Sequence, residues 1–124
     1  MSDADWSADV ERLIARAAGS LDHVEVLRAL HASRETSTDA EGLGRRLHLD
    51  RETVGRILAD LRLAGLVSEI NGAYKYAASS RDRPTVDALL EIYEARPIAL
   101  VRAIQSRPRP LHSFASAFRL RRKD

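Results

Sequence analysis

Four side chains in one short stretch have the types and spacing for recognition chemistry. Arg51, Glu52, Thr53 and Arg56 follow directly behind Asp50, within the first two turns of a potential helix. A guanidinium is a planar fork of donors that can hold O6 and N7 of guanine bidentately, and glutamate or threonine can contact the neighbouring bases. The same residues also fit a solvated helix face, or the docking face of a domain that binds protein. The elements that carry them decide between these.

Asp50 is a good N-cap, and Val54, Ile57, Leu58 and Leu61 repeat at helical spacing behind it. Gly65, directly after Ala64, is placed to end that helix in a left-handed conformation. Upstream, Thr38 with Glu41 three residues on forms a capping box and predicts a short helix starting there, with Leu43 and Leu47 on its buried side. Downstream, Asn71-Gly72 between two short β-prone runs predicts a hairpin. In that hairpin Ile70 faces Ala73, Ser68 faces Lys75, and Tyr74 and Tyr76 share the opposite face.

Helix, turn, helix and hairpin in that order resemble the winged helix-turn-helix regulators of the MarR and ArsR kind. The run Leu43-Gly44-Arg45-Arg46-Leu47-His48-Leu49-Asp50-Arg51-Glu52-Thr53-Val54 resembles their scaffold and recognition helices, and Leu58 to Val67 resembles the exit into their wing. The similarity covers roughly residues 21–77. It implies a mainly α fold with a two-stranded wing and extra N- and C-terminal helices. It further implies a homodimeric regulator of transcription on double-stranded DNA. Arg51, Glu52, Thr53 and Arg56 would then read bases in the major groove. Thr36, Ser37, Thr38, Arg45 and Arg46 would touch the backbone, and Lys75 on the wing would reach the minor groove. Three residues depart from the pattern. Gly42 and Gly55 lie inside helices, and His48 holds a turn position usually given to glycine.

The flanks are helical by pattern. Residues 5–18 carry Trp6, Val10, Leu13, Ile14 and Ala17 at helical spacing, and Trp6 fits either its own core or a partner's groove. Gly19-Ser20 separates that segment from a helix over 21–33, with Leu21, Val24, Leu27 and Leu30 inside. After the hairpin, Arg81 and Arg83 stand close enough to the wing to help it meet phosphates, or simply lie in a solvated loop. From Pro84 an apolar stripe of Val86, Leu90, Tyr93, Val101 and Ile104 runs through Pro97, where a kink or break is expected near Arg96. A last helix, about 111–121, would carry Leu111, Phe114 and Phe118 and a tail of Arg119, Arg121, Arg122 and Lys123. That tail complements the helix dipole or binds phosphate or an acidic partner. Trp6, Val10, Leu13, Leu90, Tyr93, Val101, Ile104, Phe114 and Phe118 form the expected dimer interface. Residues 1–19 would be the dimerisation arm, 20–78 the winged domain and 79–124 the C-terminal extension.

Composition narrows the chemistry. The chain has 124 residues, 44% of them hydrophobic, enough for one domain with a real core. It has no Cys, so no disulfide framework and no thiolate metal site, and a cytoplasmic setting is the expectation. No apolar run approaches the roughly 20 residues that span a bilayer. His23, His31, His48 and His112 lack metal-ligand spacing, and Gly42-Leu43-Gly44 follows no strand, as a phosphate loop would. No cofactor, metal or catalytic group is therefore expected. The net charge of +2 hides a gradient from −5 through Gly44, by way of zero over 45–95, to +7 from Arg96 onward. The neutral middle keeps a rival open, a winged-helix adaptor that docks on protein through the same surface or the C-terminal helix.

Overall fold

Four of the helices start where a side chain takes up an otherwise free amide. Ser7, Ser20, Asp39 and Asp50 each accept a hydrogen bond from the backbone N–H three residues on. Behind them run α1 (Ala8–Ala17), α2 (Leu21–Ala32), α3 (Ala40–Leu47) and α4 (Arg51–Leu63). The computed structural model describes residues 6–106, which add α5 (Arg83–Ala95), α6 (Pro97–Ser106) and a three-stranded antiparallel sheet. Its strands are β1 (Thr38–Asp39), β2 (Val67–Ile70) and β3 (Ala73–Tyr76), in the order β1-β3-β2.

The hairpin has the expected register, with Ser68 opposite Lys75 and Ile70 opposite Ala73. Asn71 and Gly72 both take positive φ, 53° and 84°, as a two-residue primed turn requires. Glu69 fastens this turn by accepting the Gly72 amide at 2.8 Å. Tyr74 and Tyr76 both pack onto the core.

Thr38 does not cap α3. It sits in β1 opposite Tyr74, and Asp39 accepts the Gly42 amide at 2.7 Å in its place. A third strand therefore joins the expected two. A carboxylate one residue later can cap equally well, and the pairing with β3 uses the extended backbone before it. The first helix likewise starts later than residue 5, behind Ser7.

Between α3 and α4 the chain turns through His48, at φ 58° and ψ 43°. The left-handed residue expected there is present, and Leu49 N–H closes back on Gly44 O at 2.9 Å. This tight return explains Gly44, since a Cβ there would lie 2.8 Å from Leu49 O. Gly65 ends α4 with φ 81°.

Among the described residues, one apolar cluster joins the six helices and the hairpin. Val10, Leu13 and Ile14 of α1 share it with Leu89 and Leu90 of α5, on which α1 packs, and with Leu27 and Leu30 of α2, Ile57, Leu58 and Leu61 of α4, and Leu100 of α6. Each such side chain contributes about 1.5–3 kcal/mol on burial, so this cluster dominates the stability. Val10, Leu13 and Leu90, expected at a dimer interface, are buried inside the chain itself. An amphipathic stripe shows that a face is covered, not by what. Trp6 also turns to its own subunit, packing on the core, donating Nε1–H to Glu11 at 2.6 Å and lying under the Arg96 guanidinium.

Pro97 divides the long C-terminal stripe into two helices. α5 stops at Ala95, Arg96 leaves helical geometry with φ −140° and ψ 62°, and α6 starts at the proline, whose missing N–H costs nothing in a first turn. The expected helix at 111–121, with Phe114, Phe118 and the basic tail, lies outside the described residues. No described helix is long and apolar enough to cross a membrane.

Candidate nucleic-acid interface

Burial along α4 sets which side chains it offers. Val54, Ile57, Leu58 and Leu61 are fully inside, where the helix packs mainly on α2, α3 and β2. That packing turns Arg51, Glu52 and Arg56 to solvent. Three of the four expected base-reading residues thus share an open face.

Thr53 does something else. It is half-buried, and its amide donates to Asp50 Oδ1 at 2.7 Å. The Thr53 hydroxyl first, then that amide and the nearby Arg56, hold the Asp50 carboxyl below its ordinary value. Thr53 therefore completes the cap of α4. The start of the helix carries a negative charge at Asp50 as well as the positive ones of Arg51 and Arg56.

The residues expected to touch the backbone fall into two groups. Arg45 and Arg46 are exposed on α3, next to α4, and Arg45 lies 3.4 Å from Glu41. Thr36 and Ser37 are exposed in the loop before β1, with the Thr36 hydroxyl donating to Ser33 O at 3.2 Å, while Thr38 is half-buried in the sheet. Lys75 and Arg83 belong elsewhere. They line a groove with residues of α2 and α5, which no α4 residue reaches. Arg83 also donates Nε–H to Ala78 O at 3.1 Å, and Arg81 is exposed nearby.

Two clusters had no clear signal in the sequence. His23 on α2 places Nε2 2.9 Å from Asp60 Oδ2 on α4 and Nδ1 2.8 Å from Ser20 Oγ. A serine, a histidine and an aspartate thus come together although their spacing does not suggest it. The Ser20 oxygen faces the His23 amide as helix cap, and the cluster ties α2 to α4. His31, two turns on, places Nε2 3.0 Å from Asp87 of α5 and its ring edge-on to Tyr76. Ser20 and His23 are one turn apart and could have been paired in advance; Asp60 and Asp87 could not.

Apolar side chains are also exposed at the end of α4 and on the hairpin. Leu63 at the end of α4 is 88% exposed and Ile70 at the hairpin tip 72%. Arg62 lies between their elements, 3.8 Å from Glu69.

No family model, curated protein or solved structure matches the chain.

Proposed function

We propose that residues 21–77 form a winged helix-turn-helix and that the chain is a homodimeric, sequence-specific regulator of transcription on double-stranded DNA. α4 is the reading helix and the β2–β3 hairpin the wing. The observation that carries this reading is the outward face of α4. Its apolar side is locked into the core, while Arg51, Glu52 and Arg56 stand in solvent ahead of the α3–α4 turn. Arg51 and Arg56 take guanine edges and Glu52 selects against mismatched neighbours. Arg45 and Arg46, with Thr36 and Ser37, grip phosphates and set the register. The dimer uses what the core leaves over, Ile98 with the half-buried Val101 and Ile104 of α6.

Selection from a pool of randomised duplexes tests this. The expected outcome is a pseudo-palindrome whose half-sites lie about 10 base pairs apart. Arg51→Ala and Arg56→Ala should each relax the preference at a guanine position by about 1–3 kcal/mol.

The exposed Leu63 and Ile70 favour a second reading, a winged-helix adaptor that docks the same face on a protein. Aliphatic side chains contribute nothing to a phosphate contact, but they fill a partner's pocket. In that case the selected pool shows no enriched motif.

A further inference from the structure

α2 and α5 run antiparallel, as His31 against Asp87 and Arg28 against Glu94 show. Between them and β3 lies an open groove of about 770 Å³, on a different part of the surface from the α4 face. Its charges are mostly sorted. Arg34, Lys75 and Arg83 gather where α2 ends and α5 begins, with Glu35 beside Arg34 as the one carboxylate at that end. Asp87, Glu91 and Glu94 repeat along one face of α5 toward its other end. Glu35 and Glu91 have no ion-pair partner among the described residues, and the link from Glu94 to Arg28 is an exposed one at 3.2 Å. The Tyr76 hydroxyl, buried at the groove, has no hydrogen-bond partner among the described residues.

The chain itself carries the complementary charge. Arg119, Arg121, Arg122 and Lys123 place four cations in residues 119–123, on the far side of a linking stretch that starts at Arg107. We infer that this basic segment docks intramolecularly on the carboxylates of Glu91 and Glu94, in the α5 half of the groove.

Reach supports it. Pro97, where α6 begins, lies three residues beyond Glu94, and the 10-residue α6 is about 15 Å long. Even with the helix expected over 111–121, residues 107–118 can span about 25 Å, enough to return along α6. A tethered cation cluster is held at an effective concentration of about millimolar, which lets weak exposed ion pairs add up. The cations at the Arg83 end keep the segment to the acidic half. This docking does not depend on α4 reading DNA.

Carbodiimide coupling of the full chain tests it, because Lys75 and Lys123 are its only lysines. At low salt the expected product is an amide between Lys123 and Glu91 or Glu94 within one chain. It should fall about fivefold or more at about 0.5 M salt, where exposed charges are screened. Arg119→Ala/Arg121→Ala/Arg122→Ala, which keeps Lys123, should reduce it similarly. Coupling of Lys123 scattered evenly over surface carboxylates would overturn the proposal. So would a product found only between isotopically labelled and unlabelled chains, or one indifferent to the arginine changes.

Discussion

His23 of α2 and Asp60 of α4 meet ring nitrogen to carboxylate at 2.9 Å, with the His23 side chain only 13% exposed. The carboxylate can only accept, so Nε2 carries the proton, and Nδ1 is left for Ser20 Oγ. This pair holds α4 against α2. His23→Ala should cost about 1–2 kcal/mol in chemical denaturation, the worth of one part-buried and one exposed hydrogen bond. A double-mutant cycle with Asp60→Ala should return a coupling of about 0.5–1 kcal/mol, and additivity of the two changes would contradict the link.

Acid should weaken the start of α4. The Asp50 carboxyl, held by Thr53, has a folded pKa below its ordinary 3.8. Its stabilisation is therefore complete above about pH 4 and is lost as pH falls through the lowered value. Melting curves between about pH 2 and 5 should show Asp50→Ala less stable than the parent at the upper end, with the gap closing at the lower. Asp50→Ser, which keeps a capping oxygen, should recover part of the upper-end loss without the pH dependence.

Two glycines should respond oppositely to a methyl group. A Cβ on Gly55 meets nothing within 4 Å, so Gly55→Ala should stabilise the chain by about 1 kcal/mol through helix propensity. A Cβ on Gly44 would lie 2.8 Å from the Leu49 carbonyl, so Gly44→Ala should destabilise by about 1–3 kcal/mol. Melting temperatures moving in the same direction would contradict the α3–α4 turn as described.

Tyr76 links stability to high pH. Burial first, then the Asp87 charge, raises its phenol above the ordinary 10.0. The folded chain keeps the proton longer than the unfolded one, so the stabilisation is full below about pH 10 and is lost as pH rises through the raised value. Tyr76→Phe should flatten that loss. Near neutral pH it should cost little, because the hydroxyl has no partner among the described residues to lose.

Features of local origin were legible in the sequence. The Asn71-Gly72 turn, the Asp50 and Ser20 caps, the left-handed His48 and Gly65 and the break at Pro97 all depend on neighbours within a few residues. Long-range features were not. Thr38 has the letters of a helix cap, and only its pairing with Tyr74 across the sheet makes it a strand residue. Val10 and Leu90 have the periodicity of any covered face, and only the packing of α1 on α5 shows that the cover comes from the same chain. Of the expected contact residues, Arg51, Glu52 and Arg56 were separable from the core by period alone. That Thr53 would serve Asp50, and that Lys75 and Arg83 would line the α2–α5 groove, depended on geometry no spacing encodes.

In the proposed reading, the open face of α4 meets a duplex through Arg51 and Arg56. Affinity for one duplex carrying the selected site, measured from about 50 to 200 mM salt for the parent chain and for Arg51→Ala/Arg56→Ala, tests it most directly. The expected result is tight binding by the parent that weakens steeply with salt, with the double variant at least about tenfold weaker and no longer preferring the site over a scrambled duplex. Feeble binding that ignores sequence and is the same in both proteins would contradict it.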